Sequence, residues 1–132
     1  MMISRMLHAS LLVSDLERSR QFYGGLLGLR EKQRPGFDFP GAWYDLGDCE
    51  LHLIVTPDPL PEAGARPQND FHIAFQTDDY EAARRALEAA GIPYREGRAG
   101  FAQLFFRDPD GNLIELQKPG KPGPDARSQT PE

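Results

Sequence analysis

Apolar and polar positions alternate in four short stretches of this chain. In MLHASLLV, Leu7, Leu11 and Val13 fall on one side, and His8, Ser10 and Leu12 on the other. The period of two recurs in ELHLIV, DFHIAFQ and NLIELQ. There Leu51, Leu53, Val55, Phe71, Ile73, Phe75, Ile114 and Leu116 oppose His52, His72, Gln76, Glu115 and Gln117. Such alternation predicts strands with one face on a core and a polar face turned away. The apolar set is expected to pack under helices and the polar set to line a concave surface. Strands are predicted near 6–13, 29–34, 41–46, 50–56, 71–77, 93–97, 101–107 and 112–118. Asp108-Pro109-Asp110-Gly111 forms a strong turn signal before the last of these.

Helical periodicity appears twice, over about 15–26 and 79–90. Ser14 with Glu17, and Asp78 with Glu81, have capping-box spacing, while Gly28 and Gly91 mark the stops and Pro93 reinforces the second. Laid over one another, the two halves correspond. His8 meets His72, Asp15 meets Asp79, Glu17 meets Glu81 and Arg20 meets Arg84. After the helix the register slips by one residue: Gly28 meets Gly91, Asp45 meets Asp108 and His52 meets Glu115. Two copies of a strand-helix-three-strand unit follow from this repeat.

The expected organisation is one domain over 1–118, with modules at about 5–56 and 71–118 joined by a Pro-rich linker at about 57–70. Residues 119–132, PGKPGPDARSQTPE with its preceding boundary, are expected to form a disordered tail. A chain of 132 residues closes a core without staples. The net charge of -5 and dispersed Lys and Arg argue against nucleic acid as a partner. No apolar run reaches membrane-spanning length, and MMISRMLHASLLV lacks a secretion-signal pattern, so the expected compartment is the cytoplasm and the expected partner a small molecule.

The single cysteine, Cys49, allows no disulfide within the chain and no thiolate cluster, and is read as a small buried or turn residue. Any metal must therefore use His, Asp or Glu. All three histidines lie in predicted strands, and each has a potential ligand at the matched position of the other copy. Apposed copies are expected to bring first strand beside first and last beside last, converging His8, His52, His72 and Glu115. Three imidazoles and a carboxylate suit a borderline divalent ion such as Zn, Ni, Co, Fe or Mn. Trp43, Phe105 and Phe106 are expected to serve the core more than a pocket wall.

LHASLLVSDLERSRQFYGGLLGL, DFHIAFQTDDYEAARRALEAAGIPY and LFFRDPDGNLIEL resemble the vicinal oxygen chelate superfamily, which includes glyoxalase I, fosfomycin-resistance proteins, bleomycin-binding proteins and extradiol dioxygenases. The resemblance implies an α+β fold of two tandem βαβββ modules, forming an open eight-stranded barrel-like sheet around a metal site. It places ligands at His8, His72 and Glu115, with His52 where glyoxalase-like members carry a fourth ligand, often Glu. It also implies a homodimer in which modules of two chains complete each barrel.

For the reaction, the resemblance implies a glyoxalase-like lyase or isomerase acting on a small oxygenated substrate, with Glu115 carrying a proton between adjacent carbons. Alternatives are a binding or resistance protein without turnover, and a metal-dependent dioxygenase. Leu12 and Thr56 stand where glutathione-using glyoxalases carry a clamping Arg and Asn, and Phe105 stands where extradiol dioxygenases carry a Tyr. The basic phosphonate-binding loop of fosfomycin transferases has no clear counterpart.

Overall fold

The computed structural model describes residues 2–98 and 101–119, so all but the first residue of the expected tail lies outside the described residues. The chain divides into two compact units, Met1–Glu62 and Ala63–Glu132. The first contains β1 (His8–Val13), α1 (Leu16–Arg20), a π-helical turn at Gln21–Leu26, β2 (Arg30–Lys32), β3 (Gly41–Asp45) and β4 (Glu50–Val55). The second contains a 3-10 turn at Ala63–Ala65, β5 (His72–Gln76), α2 (Tyr80–Ala89), β6 (Tyr94–Glu96), β7 (Gln103–Arg107) and β8 (Leu113–Gln117).

Every predicted strand and both helices are present. The eight strands form two four-stranded sheets, ordered β1-β4-β3-β2 and β5-β8-β7-β6, and these do not close into one barrel-like sheet. In each sheet the first strand pairs in parallel with the last of its own unit, β1 with β4 and β5 with β8, and the other pairings are antiparallel. Ser10 therefore faces His52 across one ladder, and Ala74 faces Glu115 across the other.

The alternation sorts side chains largely as expected. Leu11, Val13, Phe22, Tyr23, Tyr44, Leu51 and Leu53 are buried in the first unit, and Leu87, Leu104, Phe106, Leu113, Ile114 and Leu116 in the second. Each contributes on the order of 1.5–3 kcal/mol when removed from water. Leu7 and Phe71 depart from the expectation, being 63% and 78% exposed. Both stand one residue ahead of the first ladder pair of their strand.

The helix starts lie one residue later than the capping-box spacing suggests. Asp15 and Asp79 adopt extended backbone and accept from the N–H groups of Arg18 and Ala82, each at 3.0 Å. A carboxylate at the cap both accepts that donor and favours the positive end of the helix dipole. The first helix is not uniform, since Leu27 donates to the Phe22 carbonyl at 2.9 Å across a widened turn containing Gly24 and Gly25. Phe22 and Tyr23 are buried there. Gly28 and Gly91 have φ of 75° and 71°, so the helices stop at left-handed positions, as expected.

Part of the expected linker is tied down. Arg107 of β7 donates to Asp70 Oδ2 at 3.1 Å, to the Gly111 carbonyl at 3.0 Å and to the Pro67 carbonyl at 2.9 Å. Among the described residues no helix is long and apolar enough to cross a membrane.

Candidate functional site

The ladders bring the four expected ligands together in pairs. In the first unit, β1 and β4 place the His8 and His52 rings face to face, with centroids 4.1 Å apart. Trp43, paired with His52 across β3 and β4, stacks on the other imidazole face at 4.0 Å and 3°. His52 is thus a buried imidazole between two rings, while His8 remains exposed. His52 Nε2 lies 2.9 Å from Glu50 Oε1. Lys32 donates to the other Glu50 oxygen. Hydrogen bonds from His52 and then Lys32 hold the Glu50 carboxyl below the ordinary range.

In the second unit, β5 and β8 bring His72 to Glu115. His72 Nε2 lies 3.1 Å from Glu115 Oε1, and its Nδ1 lies 3.0 Å from the Asp70 carbonyl. Gln103 of β7 donates to the second carboxylate oxygen at 3.0 Å. Glu115 is buried, and Phe105 presents its ring edge-on to His72. The turn before β8 holds this carboxylate in place. Asp108 Oδ1 accepts from the N–H groups of Asp110 and Asn112 at 2.9 and 2.8 Å, and Gly111 adopts φ of 89°.

The lone-pair arithmetic identifies what this pair lacks. With Nδ1–H donating to the backbone carbonyl, Nε2 meets the carboxylate oxygen either as a protonated donor or, unprotonated, as a second acceptor. A proton or a cation must lie between them. An imidazole fixed by a carbonyl on one nitrogen, beside a carboxylate, is the donor set and outer-shell support of a divalent metal ligand pair. The His72–Glu115 pair therefore has the donor chemistry of a metal ligand pair. Among the described residues, no three His, Cys, Asp or Glu side chains gather as one metal-holding group, so each unit offers two of the four expected donors.

Both pairs open onto clefts. One of about 570 Å³ is lined by His8, His52, Trp43, Glu50, Phe37 and Phe39, and also by Cys49. Another, of about 580 Å³, is lined by His72, Glu115, Gln103, Phe105, Arg95 and Arg98. Trp43 and Phe105 are thus cleft walls, against the expectation that they serve the core, whereas Phe106 is a core residue. Cys49 is half-buried in the turn before β4.

Gln103, Glu50 and Lys32 did not emerge from the repeat. Gln103 was detectable as the polar alternate in QLFFR, whose Leu104 and Phe106 are buried. Glu50 was detectable as the residue sharing a strand face with His52.

Paired βαβββ units, each with an imidazole on its first strand and a second donor on its last, define a duplicated α+β protein built around small-molecule clefts. The profile of the Glyoxalase/Bleomycin resistance protein/Dioxygenase superfamily matches residues 5–116, and the chain belongs to that superfamily. It is 37% identical over 117 residues to Glyoxylase I 4 of Arabidopsis thaliana, covering 83% of this chain and 67% of that one. It is 32% identical to the glutathione transferase FosA of Serratia marcescens, over 87% of this chain and 81% of that one. Among solved structures it is similar to TnmS3, an antibiotic binding protein from Streptomyces sp. CB03234. The TM-score is 0.69 at 27% identity, covering 91% of this chain and 99% of the other.

Proposed function

We propose that this protein is a divalent-metal-dependent lyase or isomerase of the glyoxalase type, acting on a small oxygenated substrate. The observation that supports the reading is the 3.1 Å approach of His72 Nε2 to Glu115 Oε1, with the opposite edge of each group held by the Asp70 carbonyl and the Gln103 amide. In this reading His8, His52, His72 and Glu115 hold the ion, two donors from each unit, and the working form is a cytoplasmic homodimer.

When bound, the cation supplies Lewis-acid polarisation of substrate oxygens. The chain's own residues do the rest. Glu115 takes a proton at Oε1 from one carbon and returns it to the neighbouring carbon, a general acid-base role. Gln103, donating to Oε2, keeps Oε1 turned toward the cleft. Phe105 sets its ring at 77° to the His72 imidazole, limiting how that ring can turn. Where glutathione-using glyoxalases clamp a peptide, this chain has the apolar Leu12 and a Thr56 whose hydroxyl accepts from the Asp58 N–H at 3.1 Å. The substrate is therefore proposed to lack a glutathione-type clamp.

The test is elemental analysis of protein purified without added metal, followed by turnover of aldehyde-thiol adducts. About one ion per chain is expected, lost in His72→Ala and His8→Ala alike, with turnover abolished in Glu115→Gln. A protein that stays metal-free in excess divalent ion refutes the reading and leaves a module that binds a small molecule without converting it, a reading favoured by the likeness to the antibiotic binding protein TnmS3.

A further inference from the structure

The cleft of the first unit carries more aromatic surface than its histidines account for. Phe37 and Phe39, in the loop between β2 and β3, are 45% and 40% exposed, which is unusual for large apolar side chains without a partner. They are held in place. Their rings stack on each other at 5.1 Å and 16°. The Arg34 guanidinium lies 5.0 and 5.1 Å from the two ring centres and donates to the Phe39 carbonyl at 2.9 Å. The cation supports both rings and ties the loop that carries them.

The surface continues inward. Phe37 lies 6.0 Å from Trp43, which stacks on His52, which stacks on His8. A run of ring faces thus leads from the loop to the imidazoles within one cleft of about 570 Å³, a volume that accommodates a small molecule. Glu50, the carboxylate beside His52, is already engaged by Lys32 and does not oppose an electron-rich ring.

Resting on the function proposed above, we propose that Phe37, Phe39 and Trp43 form an aryl-binding subsite, and that the substrate carries a flat aromatic group next to its chelating oxygens. The preformed ring faces select a planar π-surface over a saturated group of similar size, because offset stacking adds to area burial.

Trp43 is the sole tryptophan and reports directly on the subsite. Its fluorescence is titrated with mandelate, hexahydromandelate and lactate in the full-length protein supplied with Zn²⁺. The three share vicinal oxygens and differ in carrying a phenyl, cyclohexyl or methyl group. Mandelate is expected to bind roughly tenfold or more tighter than lactate, with hexahydromandelate between them. In the double variant Phe37→Leu/Phe39→Leu, the mandelate preference over hexahydromandelate is expected to vanish while lactate is unchanged.

Equal binding of mandelate and hexahydromandelate, or a preference that survives in the double variant, overturns the proposal. Benzyl alcohol, titrated without metal, separates the two readings. If it quenches Trp43 in the parent but not in the variant, and mandelate binds no tighter, the aryl subsite stands and the chelate reading falls. If it does not quench, the subsite falls.

Discussion

Replacing Glu115 by Gln is expected to stabilise the metal-free protein while removing its metal. In the parent, the buried carboxylate receives one neutral donor, Gln103 Nε2 at 3.0 Å, and faces the His72 Nε2 lone pair at 3.1 Å. An amide fits both neighbours. Its oxygen accepts from Gln103, its NH₂ donates to His72 Nε2, and Nδ1–H of His72 keeps its bond to the Asp70 carbonyl. The substitution supplies from the amide the proton that the metal-free parent must otherwise take up between the two groups, a gain of about 1 kcal/mol at pH 8.5. It also relieves part of the burial cost of an anion, a further ~1 kcal/mol. Urea unfolding followed by far-ultraviolet circular dichroism, at pH 8.5 with EDTA, is therefore expected to show the variant about 2 kcal/mol more stable. With metal at a hundredfold excess over Kd the order reverses, because the parent alone gains about 2.7 kcal/mol. A metal-free variant less stable than the parent refutes the lone-pair reasoning on which the metal assignment rests.

Ser19 is fully buried and its hydroxyl has no hydrogen-bond partner among the described residues, so Ser19→Ala is expected to stabilise the protein by ~1 kcal/mol in urea unfolding. Asp108→Ala removes an acceptor from two backbone N–H groups and is expected to cost about 3 kcal/mol. Asp108→Asn retains that acceptor through its amide oxygen and is expected to cost roughly half as much in the same assay. Burial, aided by the hydrogen bond that Tyr80 donates to Glu96 at 2.7 Å, pushes its phenol up to about 12. That contribution is complete below the unfolded value of 10.0 and is lost as pH rises through 12, so Tyr80→Phe should remove a component near 12 from an ultraviolet phenolate titration. Arg107→Lys loses the forked contacts to Asp70, Gly111 and Pro67, and limited proteolysis within 57–70 is expected to accelerate.

The repeat made the fold legible because each unit specifies itself locally. Alternation set which face of β1, β4, β5 and β8 is apolar, and Gly28 and Gly91 stopped the helices where a positive φ is needed. The repeat could not reveal that β1 pairs in parallel with β4 of its own unit, because strand partners are chosen by crossover geometry and not by face pattern. Nor could it show the helix caps, since Ser14 and Asp15 both offer a capping oxygen and only the backbone turn decides between them. Site residues were legible where they matched across the repeat, as His8 does with His72. Gln103 and Lys32 act through contacts between strands, which no spacing within one segment records, whereas Glu50 shares the strand face of His52.

The two copies diverge in the charge each gives its carboxylate, and that divergence supports the division of roles proposed for them. Glu50 sits between the Lys32 ammonium and His52 Nε2, a carboxylate already neutralised and supplied with donors. Its geometry suits orienting an imidazole, because it accepts an Nε2–H and leaves Nδ1 of His52 as the free donor atom. Glu115 receives no cationic side chain among the described residues, only the neutral Gln103 amide and the His72 ring. A proton carrier needs a carboxylate whose charge is not cancelled by a fixed ammonium, and one whose open oxygen faces a cleft. Exchanging the arrangements tests this division: Gln103→Lys supplies Glu115 with the ammonium that Lys32 supplies to Glu50. If Glu115 moves the proton, turnover should fall at least tenfold in a protein that still folds, as near-ultraviolet circular dichroism can verify. Unchanged turnover in that variant places the proton transfer on another group.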